Sequence, residues 1–399
     1  MRIMKMVESV CTHAGYTASR HVARCTSSNG LYTEDYLERF TIEGTHWTCV
    51  FDGHGGDAVA VTCARLIEKL ARECHAQRET TAGALVLLFS RIDAEITRIG
   101  HTESGSTCNV TVIDPRTSVM TVASLGDSRT LVYEPTTEAS ATTYTVVFET
   151  TDQDCADPHE QKRLSELGLG VFEQRVRVAG LLHSTGVYRC TTAGERDMST
   201  MSSFGDSVHD VPRGAVNKVP RLYTFPLRDS HVVVICSDGC MEHIAPYSAS
   251  GIKARADMRV AEIAGHIQTR ICTTCRRMFA VGAAMLAEHI TTSQVDSMAR
   301  VRGRMMAASQ HTQKTKAVEA AKAASGLEES EESEESEHPD ESEDFEAAQA
   351  ARIANAAHRD WVQREFDNQT VVAVYIGDTC TCPRETEKGR FVLGSIKLP

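Results

Sequence analysis

The chain has 399 residues, an ordinary hydrophobic content of 41% and a formal net charge of −12. That length supplies a substantial core, in one large domain or two modest ones, and the acid excess argues against a nucleic-acid-binding surface. With no stretch apolar enough for a signal peptide or a membrane-spanning helix, the fourteen cysteines read as reduced thiols of an intracellular protein, cytoplasmic or nuclear and free of membranes.

Residues 1–18 read as an N-terminal extension. Residues Ser19 to Phe40 hold a first strand, with Thr33-Glu34-Asp35 just before it. Trp47-Thr48-Cys49-Val50-Phe51 reads as a buried strand that stops on Asp52-Gly53-His54-Gly55-Gly56. Gly53 allows a sharp turn and leaves its carbonyl free to face a ligand, and His54 can carry protons near neutral pH. Val59, Cys63, Leu66, Ile67 and Leu70 fall at helical spacing, so Asp57 to His75 is a predicted amphipathic helix, and a second follows over Thr81 to Ile99. Ser104-Gly105-Ser106-Thr107 precedes two strands, Asn109 to Ile113 and Met120 to Leu125. The turn residues Asp114-Pro115-Arg116-Thr117 join them. The second strand ends on Gly126-Asp127-Ser128-Arg129, and Thr130 to Tyr133 is a further strand. Such a meander predicts antiparallel sheets with helices outside.

Gly180 to Val219 is polar and reads as irregular. Val232 to Ser237 is another strand-like run, ending on Asp238-Gly239. Ala254 to Met306 has a helical composition. Residues 328–346 carry twelve acidic residues and no Lys or Arg, so like-charge repulsion predicts a disordered, solvated loop. The functional alternative is a docking arm for a basic protein partner. Ala347 to Phe366 is a predicted helix returning to Asp367-Asn368-Gln369-Thr370 and the strand Val371 to Ile376; residues 379–399 form a tail. Cys272 and Cys275, with Cys380 and Cys382, offer four thiolates to zinc. Nothing in the sequence brings the two pairs together, and plain thiols are the simpler reading.

One strand ending on Asp-Gly beside a surface histidine would be an ordinary turn. Here the feature recurs at Asp52, Asp127 and Asp238, with Asp367 leading into a strand. Four such aspartates predict one site assembled by folding. Clustered carboxylates repel unless cations lie among them, and hard oxygen donors suit Mg²⁺ or Mn²⁺.

Asp-Gly-His-Gly-Gly, Ser-Gly-Ser-Thr, Gly-Asp-Ser-Arg, Ser-Asp-Gly and Asp-Asn-x-Thr, in this order, resemble the protein phosphatase 2C family of metal-dependent Ser/Thr phosphatases. The resemblance implies an α+β fold: two packed antiparallel sheets flanked by helices, a four-layer αββα sandwich. It implies one catalytic domain over 19–378, with a long helical and acidic insertion at about 270–355, acting as a monomer on phosphorylated proteins. Two Mg²⁺ or Mn²⁺ ions would be held by Asp52, the Gly53 carbonyl, Asp238 and Asp367, with Glu34 nearby. Asp127 and Glu242 would offer a third position. A water between the ions attacks phosphorus, Asp35 orients a water of the metal shell, and His54 is the general acid.

The sequence departs from the family at the substrate. Position 30 is Gly where an Arg usually grips the phosphate, and Arg20 and Arg24 are the upstream candidates to replace it. Met201-Ser202-Ser203-Phe204-Gly205-Asp206 stands where the family carries Ser-Arg-x-x-Gly-Asp, and Gln153-Asp154 replaces Asp-His. The alternative reading is a pseudophosphatase, the same fold used to bind phosphoproteins.

Overall fold

Two five-stranded sheets and two small three-stranded ones carry the chain. The computed structural model describes residues 5–12, 34–100, 103–138, 141–178, 181–192, 197–241, 251–271 and 370–376, with Met278, Leu286, Ala287 and Ile290. Met6–Thr12 is β1, Tyr36–Ile42 is β2, Thr45–Phe51 is β3 and Gly53–His54 is β4. The β2–β3 hairpin pairs Tyr36 with Phe51, so Asp35 and Asp52 leave it at the same open end. Helix α1, Ala58–Ala76, buries Val59, Cys63, Ile67, Leu70 and Cys74 along one face. Helix α2, Thr81–Ile99, is capped by Thr80, whose side chain accepts the Gly83 N–H, and ends on Gly100 in the left-handed region.

Gly105–Ser106 (β5), Cys108–Asp114 (β6), Val119–Leu125 (β7), Arg129–Glu138 (β8) and Ala141–Glu149 (β9) follow. Helix α3, Pro158–Glu166, starts at Asp157, whose carboxylate accepts the His159 N–H. Then come Val171–Val178 (β10), Leu181–Thr191 (β11), Asp197–Met198 (β12), Phe204–Gly205 (β13), Arg221–Pro226 (β14) and Val232–Cys236 (β15). A single 3-10 turn, Asp238–Cys240, precedes α4, Gly251–Gln268, and Thr370–Ile376 is β16.

One five-stranded antiparallel sheet runs β14-β7-β6-β3-β2 and the other β1-β16-β15-β8-β9. Their facing sides meet through Leu37, Val50, Met120, Val122, Val132, Val233, Ile235, Val372 and Val374. Alternate residues of the same strands point outward. Val232, Val234, Ala373 and Tyr375 pack with Ile263 and Ile267 of α4. Trp47, Cys49 and Phe51 pack with α1 and α2 through Ile67, Leu85, Leu88 and Phe89. Strands β15 and β16, buried on both faces, read as near-continuous apolar runs. The layers are therefore helices, sheet, sheet, helix, the αββα order that the resemblance implies. Among the described residues no helix is long and apolar enough to cross a membrane.

Three expectations change. Residues 6–12 are not an appendage: β1 pairs with β16 along its whole length, Met6 opposite Ile376 and Thr12 opposite Thr370. Part of the 180–219 region is regular, because β11 pairs with β10 and β12 in a separate small sheet. The helical run expected over 254–306 is interrupted: α4 ends at Gln268 and Ile271 bridges Met278, while Leu286, Ala287 and Ile290 are again helical, and all five bury against the second sheet. The helix expected at 347–366 and the acidic tract lie outside the described residues.

Glu38 sits buried on β2 opposite Cys49. Burial, helped by the charge of Glu68, pushes its carboxyl up to about 7 from an ordinary value near 4.5. The fold thus prefers the neutral acid. Its contribution to stability is complete below the unfolded value and is lost as pH rises through about 7. Glu38→Gln is expected to raise the melting temperature at alkaline pH and leave it unchanged only in acid below the unfolded value near 4.5, checked by calorimetry at both; equal shifts would contradict the buried neutral acid.

Candidate active site

The site begins where β3 stops. After Asp52 the chain turns into β4, which pairs with β5, Gly53 opposite Ser106 and His54 opposite Gly105. Strand β5 in turn pairs with β13, Gly105 opposite Gly205. The backbone of Asp52 is tied to Thr107 twice: the Thr107 N–H donates to the Asp52 carbonyl at 2.8 Å, and the Asp52 N–H donates to Thr107 Oγ1 at 3.2 Å. Glu34 braces the loop from below. Its carbonyl accepts the Gly53 N–H at 3.1 Å, and its Oε1 accepts the Gly56 N–H at 2.8 Å. A β-carbon at position 53 would collide with the Glu34 carbonyl, so this approach requires glycine.

The second sheet contributes Asp238, directly after β15 and Ser237. Ser237 Oγ donates to Asp35 Oδ2 at 2.8 Å, a bond that joins the end of β2 in one sheet to the end of β15 in the other. Asp127 follows β7 and Gly126, and its Oδ2 accepts the Thr200 hydroxyl at 2.6 Å. A cleft of about 330 Å³ results, and Glu34, Asp52, Gly53, His54, Asp127 and Asp238 all line it. Asp35 does not: it is fully buried behind the cleft. Arg20, Arg24, Glu242 and Asp367 lie outside the described residues, as do Cys272, Cys275, Cys380 and Cys382. The described cysteines in this part of the fold, Cys49, Cys108, Cys236 and Cys240, are buried free thiols.

Asp206 enters as a site residue whose role sequence reasoning missed. It lines the cleft, and its Oδ2 bonds His54 Nε2 at 2.6 Å while accepting the Ser203 hydroxyl. Lys218 steadies the segment from behind by donating to the carbonyls of Ser203 and Gly205. The one available signal was Asp206's place at the end of the Gly-Asp motif, but only the β13–β5 pairing reveals its partner. A β-carbon on Gly105 would land on both Asp206 and His54, so that glycine clears the space for the pair.

Burial disfavours a charged His54, yet the hydrogen bond and charge of Asp206, with Asp127 and Glu34, outweigh it and raise the imidazole above its ordinary value. Burial likewise opposes a charged Asp206, but His54 outweighs it and holds the carboxyl below the usual range. Burial and the charge of Asp127 drive the carboxyls of Asp152 and Asp154 up to about 7 and about 6, even though Arg129 ion-pairs Asp152.

Carboxylates and one backbone carbonyl are hard donors, and so negative a cleft attracts cations; the donor set fits Mg²⁺ or Mn²⁺. Among the described residues no three His, Cys, Asp or Glu side chains are yet drawn into a closed cage.

The αββα sandwich thus carries an acidic cleft at one end of its strands. The family model for protein phosphatase 2C matches residues 43–278, and the chain belongs to that family. Its members are protein phosphatases, hydrolases that use Mg²⁺ or Mn²⁺. No curated protein matches the chain. Among solved structures, a serine-threonine phosphatase 2C from Toxoplasma gondii is 14% identical with a TM-score of 0.51, over 93% of this chain and 99% of its own. A C. elegans sex-determining protein is 15% identical with a TM-score of 0.49, over 94% of this chain; the chain spans 65% of that protein. The catalytic domain of the phosphatase PstP, solved with two manganese ions, is 13% identical with a TM-score of 0.41, over 94% of this chain and 99% of its own.

The His54–Asp206 bond should give a downfield imidazole N–H proton in the one-dimensional NMR spectrum. Asp206→Asn and Gly105→Ala are each expected to shift or abolish it; a signal unchanged in both variants would contradict the pairing.

Proposed function

We propose that this chain is a metal-dependent protein Ser/Thr phosphatase that hydrolyses phosphoserine and phosphothreonine with two Mg²⁺ or Mn²⁺ ions. The observation that carries the reading is the convergence of Asp52, Gly53, Asp127 and Asp238, from the ends of separate strands in both sheets, on one cleft beside a paired His54. Asp52, the Gly53 carbonyl, Asp238 and Asp367 would hold the ions. When bound, such ions lower the pKa of water and offset charge on the phosphoryl oxygens.

The protein's own groups do the rest. Asp206 occupies His54 Nε2, which leaves Nδ1 to deliver a proton to the departing Ser or Thr oxygen as its bond to phosphorus breaks. Asp35 acts through Ser237 as a positioning residue for Asp238, in place of the direct role expected from the sequence. Glu34 acts as the brace of the 53–56 loop. No third ion is invoked: Asp127 binds Thr200, and Glu242 lies outside the described residues. With Met6–Thr12 completing the second sheet, the catalytic domain is proposed to include it and to run to Ile376, interrupted by the insertion at about 270–355.

One observation favours a second reading. The arginines expected at positions 30 and 202 are Gly30 and the buried Ser202, as in a module that binds phosphoproteins without turnover. Purified protein assayed on p-nitrophenyl phosphate and a phosphothreonine peptide separates the two. The phosphatase reading predicts Mn²⁺- or Mg²⁺-dependent hydrolysis that EDTA abolishes and that Asp238→Ala lowers by about a hundredfold or more. Absence of turnover above Asp238→Ala would leave only the binding module.

p-Nitrophenolate departs without a proton, whereas a threonine alkoxide does not. His54→Gln and Asp206→Asn are therefore expected to slow the phosphopeptide by about a hundredfold and the chromogenic ester far less. Equal losses on both substrates would make the pair structural.

A further inference from the structure

We propose that Arg189 is the substrate-phosphate anchor of this cleft, supplied from the small β10–β11–β12 sheet in place of the arginines absent at positions 30 and 202. The proposal rests on the phosphatase reading of the same cleft.

Arg189 lines the cleft, and among the described residues it is the one Lys or Arg that does. Its neighbours there are carboxylates, so beyond the proposed ions a phosphate monoester finds in Arg189 the one fixed side-chain cation among the described lining residues. Arginines close by are already spent. Arg129 pairs with Asp152 and Glu149, Arg163 with Glu160, and Arg221 with Asp157. Arg189 has no such ion pair among the described residues. Its Nη1 donates to the Asp197 backbone carbonyl at 2.8 Å and its Nε to Gln174 Oε1 at 2.9 Å, both uncharged acceptors. The Asp197 carboxylate accepts the Thr191 hydroxyl instead.

Two consequences follow from that geometry. The guanidinium is oriented by two hydrogen bonds, so less side-chain freedom is lost when it binds an anion. Its full charge and its Nη2 donors stay available, and a guanidinium suits phosphate oxygens better than a lysine ammonium does. The strand beneath it is itself fixed. Arg189 pairs in register with Phe172 of β10, and the next residue, Cys190, is buried with Cys155, Leu164 and Met201. The anchor therefore sits on a sheet rather than on a loose loop.

The test uses the full chain with Mn²⁺. Binding of a fluorescent peptide carrying a non-hydrolysable phosphothreonine phosphonate is followed by anisotropy, and inorganic phosphate is titrated as an inhibitor of p-nitrophenyl phosphate hydrolysis. Arg189→Ala is expected to weaken the peptide and phosphate by about tenfold or more, and Arg189→Lys to recover part of the loss. Arg175→Ala, on the exposed face of the same hairpin, is expected to bind as wild type, with melting temperatures unchanged throughout. Wild-type affinity in Arg189→Ala, or a wild-type protein that binds neither ligand, would overturn the anchor. If wild type binds the phosphonate without hydrolysing any ester, and Arg189→Ala loses that binding, the anchor stands and the enzyme reading falls.

Discussion

Carboxylates that share a cleft repel one another and lose hydration, so each must be held from behind. That constraint organises this fold. Asp35 is buried where it can accept from Ser237, and in doing so it closes the ends of the two sheets onto each other. Asp127 is held by Thr200, and Asp206 by His54 and Ser203. Asp52 carries its load through the backbone, which Thr107 grips from both sides. Thr107 Oγ1 meets Ser128 Oγ at 2.9 Å, and beyond it Asn109, Thr111 and Thr130 bond one another inside the sandwich. A satisfied polar network of this kind rigidifies what it touches. The scaffold thus places these carboxylates on strand ends, where the sheets restrict their motion.

Much of this was legible in the residues. Helix α2 falls over Thr81–Ile99 as predicted and α1 within a residue of its expectation, because both carry an unbroken apolar stripe. The strands leading to Asp52, Asp127 and Asp238 were equally clear, since apolar runs that end on Asp-Gly or Gly-Asp are hard to read otherwise. What escaped depends on contacts distant in sequence. Strand β1 is short and mixed, and its partner is β16: Ser9 Oγ donates to the Ala373 carbonyl 364 residues away. No local pattern encodes such a pairing. The β10–β11 hairpin was hidden by polar, glycine-containing sequence whose strand character comes from its neighbours.

The site divides along the same line. Glu34, Asp52, Gly53, His54, Asp127 and Asp238 come together as their motifs imply. Asp206 was visible as a motif residue but not as the partner of His54, because that contact needs β13 laid on β5. Arg189 lies outside every motif. It lies far in sequence from positions 30 and 202, and the fold brings it to the acidic cleft from the small β10–β11–β12 sheet.

In the proposed function these strand ends form one binding site for cations. Calorimetric titration of Mn²⁺ into wild type and into the Asp52→Asn/Asp238→Asn double variant tests it without relying on turnover. Two ions bound by wild type and loss of both in the variant are expected, with the fold retained by circular dichroism. A wild-type protein that takes up no Mn²⁺, or a variant that binds it as wild type does, would contradict the account.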